Sequence, residues 1–375
     1  MKPARFPLVL LANRLGAVPR PSWCTYLVTF RCNARCKMCD SWRMKPGREL
    51  TVDQARKVFA KIGSLDVIRL TGGEPFLRDD FAELARVVYE TASPGVLHIT
   101  TNGSFPETIA KFVERFPAPR RLRFMVSFDG LEAEHDANRG EDVAFARAED
   151  TVRRLVALRS RGIRVSVNHT IISTSSLEAH DELRRRFEML GVDVQAVLAY
   201  SDSAMYGLKR FGGKAYDLIP AVGYPLHPNL RGADAAGFVR RLLRQLPRLR
   251  DPFLRWGKRY YLRGLLERLE NRADPVPHPP CVALRSHLRL LPDGRVPVCQ
   301  FNTETVGSLL HQSFDEVWHG AAARPERAWV DACPGCWAEC EVMPSALYSG
   351  DLLTAPLRKS AGRHATSRIR GRTRA

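Results

Sequence analysis

The chain contains no apolar run near the roughly 18 residues that a bilayer span requires. Its nearest approach, FPLVLLANRLG, is too short and is not followed by a convincing signal-peptide cleavage region, so the expected location is cytoplasmic. Internal repeats are missing. So are recognisable nucleic-acid motifs and any basic groove studded with aromatics, which argues against nucleic acid as a partner. Acidic residues are absent from the C-terminal end: RKSAGRHATSRIRGRTRA, from Arg358 onward, has seven Lys or Arg and supplies over a third of the formal +18 charge. With so little to bury, residues 350–375 are expected to be a basic, disordered tail. The tail is read as solubilising, with docking to nucleic acid, an acidic peptide or anionic lipid as the alternative.

What is present is apolar material for one large domain and a smaller one, 45% of 375 residues. TYLVTF, DVIRL, VLHITTNG, RLRFMVSFDG, IRVSVNHTII and VDVQAVLAY read as strands and alternate with helical stretches. LTVDQARKVFAKIG carries a Thr51/Gln54 capping box at its start. Such β-α steps favour parallel strands covered by helices, open or partly closed into a barrel, with the chemistry gathered at the strands' C-terminal ends. The expected divisions are an N-terminal extension (1–21), an α/β core (22–200), a helical or irregular connecting region ending in the proline-rich ADPVPHPP (201–280), a compact cysteine-bearing region (281–349) and the tail.

Nine cysteines concentrated in short runs favour metal ligation over disulfides in a reducing compartment. The first run, CNARCKMC, follows the first strand and offers Cys32, Cys36 and Cys39. A structural zinc site needs a fourth ligand, such as His98 or His169 if the fold brings either one close, and a thioredoxin-like pair leaves Cys32 without a role. Three cysteines also suffice for three irons of a four-iron, four-sulfur cube whose fourth iron stays open to an external chelator. Cys24, inside the opening apolar segment, reads as packed core.

CNARCKMC resembles the three-cysteine signature of the radical S-adenosylmethionine enzymes, and GGEP at Gly72 to Pro75 resembles their second element. The resemblance implies a partial (β/α)6 TIM-like barrel of parallel strands. It also implies that the open iron binds the methionine end of S-adenosylmethionine and that reduction yields a 5′-deoxyadenosyl radical. Gly72 and Gly73 are then expected at the cofactor, with Glu74 holding the loop. Ser127, Asp129, Asn102 and Asn168 stand at strand ends as hydrogen-bonding candidates, and Arg139 resembles an arginine directed at the cofactor carboxylate. The residue before the last cysteine, commonly aromatic in this family, is Met38, a more flexible cover for adenine.

The second run comprises Cys281, Cys299 and CPGCWAEC with Cys333, Cys336 and Cys340, and PDG before Cys299 reads as a hairpin turn. It resembles the auxiliary-cluster domain of SPASM proteins, especially the shorter twitch variant. One auxiliary 4Fe-4S cluster is implied, on Cys281, Cys299, Cys333 and Cys336, with Cys340 as an exchangeable alternative to Cys333. Nearby Arg285, Arg289 and Arg295 are read either as tuners of its potential or as solvated surface residues.

The implied reaction is hydrogen abstraction from a peptide or protein, with the auxiliary cluster assisting oxidation or cross-linking. The alternative is a twitch-type dehydrogenase of a small cyclic alcohol, sugar or cyclitol. The basic surface and the segment from Ser201 to Asn271 favour the peptide, whereas the short stretch before the first strand leaves no room for a separate peptide-recognition domain. A reductant such as flavodoxin or ferredoxin is the expected partner.

Overall fold

The computed structural model describes residues 5–45, 47–203 and 211–354. The expected tail therefore lies almost wholly outside the described residues, as do 204–210 of the connecting region.

Seven parallel strands form one sheet: β1 (Trp23–Thr29), β2 (Val67–Gly72), β3 (Val96–Thr101), β4 (Leu122–Phe128), β5 (Arg164–Ile171), β6 (Asp193–Leu198) and β7 (His287–Leu290), in the order β6-β5-β4-β3-β2-β1-β7. Burial alternates along the middle strands, so Leu97 and Ile99 on β3, and Phe124, Val126 and Phe128 on β4, sink into one core beneath the covering helices. That core carries the main hydrophobic stabilisation, at about 25 cal/mol per Å² of apolar area removed from water. The opposite, inner face is polar. It presents Arg69, His98, Thr100, Met125, Ser127, Ser166, Asn168 and Gln195, all only partly buried.

The helix Val52–Ile62 begins at the Thr51/Gln54 capping box, with both reciprocal bonds formed, and buries Ala55, Val58, Phe59 and Ile62. Residues 1–21, expected as an extension, contain the helix Phe6–Arg14, whose Asn13 donates to Ser286 Oγ and to the Tyr348 carbonyl. Two helices fill the connecting region, Gly232–Gln245 and Pro252–Leu269. The second lies in the segment read as favouring a peptide, and two of its cations are buried. Lys258 pairs with Glu339 at 2.6 Å, and Arg268 lies 3.7 Å over the Trp337 ring. Gly264 is needed there, since a Cβ would come within 2.0 Å of that ring.

The chain turns at Pro292–Gly294 as expected, but the flanking strands belong to different sheets. β7 joins β1, while β8 (Arg295–Pro297) pairs antiparallel with β9 (Thr305–Ser308). The cysteine-bearing region is therefore hydrogen-bonded into the barrel sheet. Among the described residues, no helix is long and apolar enough to cross a membrane.

Candidate active site and auxiliary cysteine cavity

The first three thiols leave the C-terminal end of β1 on a loop that neighbouring strand ends hold from several sides. Arg35 N donates to the Arg139 carbonyl at 2.7 Å, Asp40 N to Ser203 Oγ at 3.1 Å, and Trp42 Nε1 to the Cys36 carbonyl at 3.3 Å. Gly73 N and Glu74 N donate to the carbonyls of Thr29 and Arg31, each at 2.8 Å. The glycines of GGEP are thus fixed by the loop's own backbone: a Cβ on Gly72 would meet Thr29 O at 2.2 Å, and one on Gly73 would meet Arg31 O at 2.0 Å. Gly72 also has φ +150°, a region that side chains disfavour.

Glu74 is fully buried and ties β2 to β3, accepting from Phe76 N at 3.1 Å, Thr101 Oγ1 at 2.8 Å and Asn102 N at 2.6 Å. Burial raises its carboxyl to about 7 against those hydrogen bonds, which favour the charged form. Asn102 Nδ2 donates to Asn33 Oδ1, inside the cysteine loop, at 2.9 Å. Asp129 and Arg139, each expected to face the cofactor, are paired with one another at 2.5 Å, and Asn138 adds a bond to the same oxygen at 2.8 Å. The other Asp129 oxygen is buried without a hydrogen-bond partner among the described residues. Arg139 spends two of its five N–H groups on Asp129 and the Ser127 carbonyl, leaving three beside the cysteine loop. Ser127 and Asn168 are register partners on the inner face of β4 and β5.

Burial pushes the Cys32 and Cys36 thiols up to about 12 and raises Cys39 as well. Thiols so placed become thiolates only when a bound cation supplies the compensating charge, so the loop suits a metal-containing group. Neither histidine considered as a zinc ligand is held toward the loop. His169 is buried beneath the outer helices with Nδ1 3.0 Å from His180 Nδ1, and His98 sits midway along the inner face of β3. No three His, Cys, Asp or Glu side chains among the described residues are drawn to the spacing of a single metal ion.

Cys281, Cys299, Cys333 and Cys336 line one pocket, walled by Phe301, Trp329 and Trp337. Burial raises all four thiols, Cys281 to about 12. The donor set and the burial of its thiols fit an iron-sulfur cluster, which thiolates hold and burial tunes. Cys340 is absent from the cavity wall. It sits in the first turn of the helix Glu339–Tyr348, and its Sγ donates to Gln300 Oε1 at 3.0 Å.

A buried polar chain joins this region to β1. Thr25 Oγ1 meets His287 Nε2 at 3.0 Å, His287 Nδ1 meets Glu341 Oε2 at 3.2 Å, and Arg289 meets Glu341 Oε1 at 2.7 Å. Burial alone would raise the Glu341 carboxyl, but Arg289 and His287 hold it at about 2. The three arginines grouped together in the sequence thus separate: Arg289 is buried and paired, Arg285 bridges to Asp331, and Arg295 pairs with Asp293 at the surface. Sequence reasoning missed Asn33, Asn138 and Trp42. Asn33 lies inside the cysteine motif itself, and Asn138 directly precedes Arg139.

Residues 26–187 match the Radical SAM superfamily and residues 281–340 match SPASM, an iron-sulfur cluster-binding domain. The protein is a radical S-adenosylmethionine enzyme with a C-terminal SPASM-type domain, and S-adenosylmethionine and iron-sulfur clusters are its cofactors. Among curated relatives, the GTP 3′,8-cyclase of Aquifex aeolicus is 29% identical over 188 residues, covering 45% of this chain and 54% of its own length. Mycofactocin maturase MftC of Mycobacterium tuberculosis is 30% identical over 172 residues, covering 44% and 42%. The chain thus spans about half the length of these relatives. Of solved structures, anSMEcpe with bound AdoMet superposes with a TM-score of 0.56 at 18% identity, over 82% of this chain and 79% of its own. SuiB of Streptococcus suis bound to S-adenosylmethionine gives 0.57 at 12%, over 82% and 68%. Identities this low speak for the fold.

Proposed function

We propose that Cys32, Cys36 and Cys39 hold a 4Fe-4S cube with one open iron and that the protein modifies a peptide or protein at an unactivated carbon. The observation that carries the reading is the cysteine loop wedged against Gly72 and Gly73, with the Asp129–Arg139 pair alongside. When bound, the cube and S-adenosylmethionine supply a 5′-deoxyadenosyl radical able to take hydrogen from such a carbon. The chain's own residues orient and enclose. The three remaining Arg139 N–H groups suit the cofactor carboxylate, the unpaired Asp129 oxygen and Ser127 accept or donate hydrogen bonds beside it, and Asn102 steadies the loop through Asn33. Asn168 extends this polar lining toward the substrate chamber.

Cys281, Cys299, Cys333 and Cys336 hold the auxiliary cluster in this reading, and Cys340 supports it through Gln300. Peptide modification is favoured by the relationship to mycofactocin maturase and by the fold shared with SuiB, which has been seen bound to precursor peptide SuiA. A dehydrogenase of a small cyclic alcohol, sugar or cyclitol is the second reading, favoured by a cavity with thiols for a single auxiliary cluster. Flavodoxin or ferredoxin is the proposed reductant.

The test is anaerobic reconstitution, chemical reduction and incubation with deuterated candidates of each class. Deuterium moving from a peptide into 5′-deoxyadenosine, with a peptide mass loss or cross-link, supports the first reading. Transfer from a cyclitol alone replaces it with the second.

A further inference from the structure

Strand register aligns a row across the inner face of the sheet that is basic at every position but Thr25: Arg289 on β7, then Thr25, Arg69, His98, Arg123 and Arg164 on β1 to β5. Their partners differ. Arg164 pairs with Asp251 at 2.7 Å, and Arg289 with Glu341 at 2.7 Å. Arg123 donates to the carbonyls of Arg120 and Leu122. Arg69 has only the Thr100 hydroxyl, at 3.3 Å from Nε and 3.2 Å from an Nη. Among the described residues, no carboxylate lies within ion-pair distance of it. Burial lowers its affinity for its proton and Arg289 adds to that, against the longer-range field of Cys340, Glu339 and Glu341. A cation withdrawn from water without a counter-ion is costly, and the cost is recovered when an anion arrives.

Three of the five Arg69 N–H groups remain after the Thr100 contact, enough for a two-pronged grip on a planar carboxylate. His98 is the adjacent register partner, and its Nδ1 is buried without a hydrogen-bond partner among the described residues. Burial, together with Arg69 and Arg123, lowers His98 to about 3, so a neutral imidazole is available as a donor at neutral pH. Arg69 lies three residues before Gly72, on the order of 10 Å down the strand at ~3.3 Å per residue. That separates it from the loop assigned to S-adenosylmethionine.

We propose that Arg69, with His98 beside it, recognises an anionic group of the substrate, a carboxylate in the first instance. The inference rests on reading the inner face as the substrate chamber. On the peptide reading, it names an acidic side chain or C-terminal carboxylate as the anchor that sets which carbon meets the cofactor.

The test uses the reconstituted full chain with S-adenosylmethionine and follows equilibrium binding by calorimetry. The probes are succinate, its neutral analogue succinamide, inorganic phosphate, and hexapeptides differing only by Asp or Asn at one position. Wild-type protein is expected to prefer succinate to succinamide, and Asp peptides to Asn peptides, by at least ten-fold. Arg69→Gln is expected to erase both preferences and Arg69→Lys to retain part of them. Iron content and S-adenosylmethionine affinity serve as the check that the variants are folded. Succinate binding that depends on Arg69 without any peptide binding would keep the anion site and remove the peptide reading. A preference for phosphate over succinate would reassign the anchor to a phosphorylated small substrate. Equal binding of charged and neutral probes, or an undiminished preference in Arg69→Gln, overturns the proposal.

Discussion

The two cysteine regions solve one problem, gathering thiols, in opposite ways. The first takes all three from eight consecutive residues, and the surrounding strand ends only brace a loop already defined by sequence. The second draws four from positions 281 to 336 and relies on an apolar cavity to bring them together. Local spacing therefore specifies the first site, while tertiary packing around Trp337, Phe301 and the helix Pro252–Leu269 specifies the second. A site built from one loop tolerates distant change, whereas a site built by packing shares the fate of the core around it.

Removing the first set entirely is the strongest way to break this comparison. Replacing Cys32, Cys36 and Cys39 with Ala is expected to reduce S-adenosylmethionine cleavage to background. Iron should fall from about eight to about four per chain, as two four-iron clusters require. Loss of all iron would show that the two regions are not independent. Individual replacements in the second set follow in size. Cys281→Ser, Cys299→Ser and Cys336→Ser should each cost most of the second cluster's iron, whereas Cys340→Ser should stay near eight irons. Equal loss at Cys340 would transfer it from support to ligand.

Gly73→Ala sharpens the contrast from the backbone side. A methyl group 2.0 Å from Arg31 O must displace the cysteine loop, at roughly 1–3 kcal/mol if the strain resembles ordinary overpacking. S-adenosylmethionine binding should weaken while the second cluster's iron persists. Gly237→Ala, with open space around its site in the helix Gly232–Gln245, should instead stabilise by up to about 1 kcal/mol. The smallest effect is expected from Arg186→Gln. Hydrogen bonds from Arg186 hold Glu149 below its usual carboxylate range despite burial, so the pair stabilises above the unfolded-state value and fades as pH falls. Arg186 is partly exposed, so screening limits the loss near pH 7 to under about 1 kcal/mol by thermal denaturation, vanishing in acid. Neither iron set should change.

Six strands were legible because each couples a short apolar run to a polar terminus, and the Thr51/Gln54 box gave a helix start within one residue. The segment of β7 was read as a hairpin arm, and its pairing with β1 was hidden: HLRL is four residues long and β1 lies far away in sequence, so no local pattern announces the partner. The first cysteine site was readable for the same reason that it is robust. The Asp129–Arg139 pair was not, because resemblance assigns each residue a ligand and only the fold reveals that they satisfy one another. Likewise the two glycines were read as making way for a cofactor, while their geometry answers first to Thr29 and Arg31. Arg69 escaped notice because an arginine within DVIRL looks like any residue on a solvent face until the sheet shows which side is enclosed.

The β7 pairing also dictates an order of events during synthesis. Until residue 290 has emerged, the β1 edge that carries the cysteine loop has unpaired N–H and C=O groups along Trp23–Tyr26, the register later taken by His287–Leu290. An exposed strand edge of that kind is a template for pairing with another chain. Nascent or truncated chains ending before His287 therefore carry an adhesive edge beside the cysteine loop. Slow translation through the connecting region, or cleavage within it, is expected to favour aggregation at that edge.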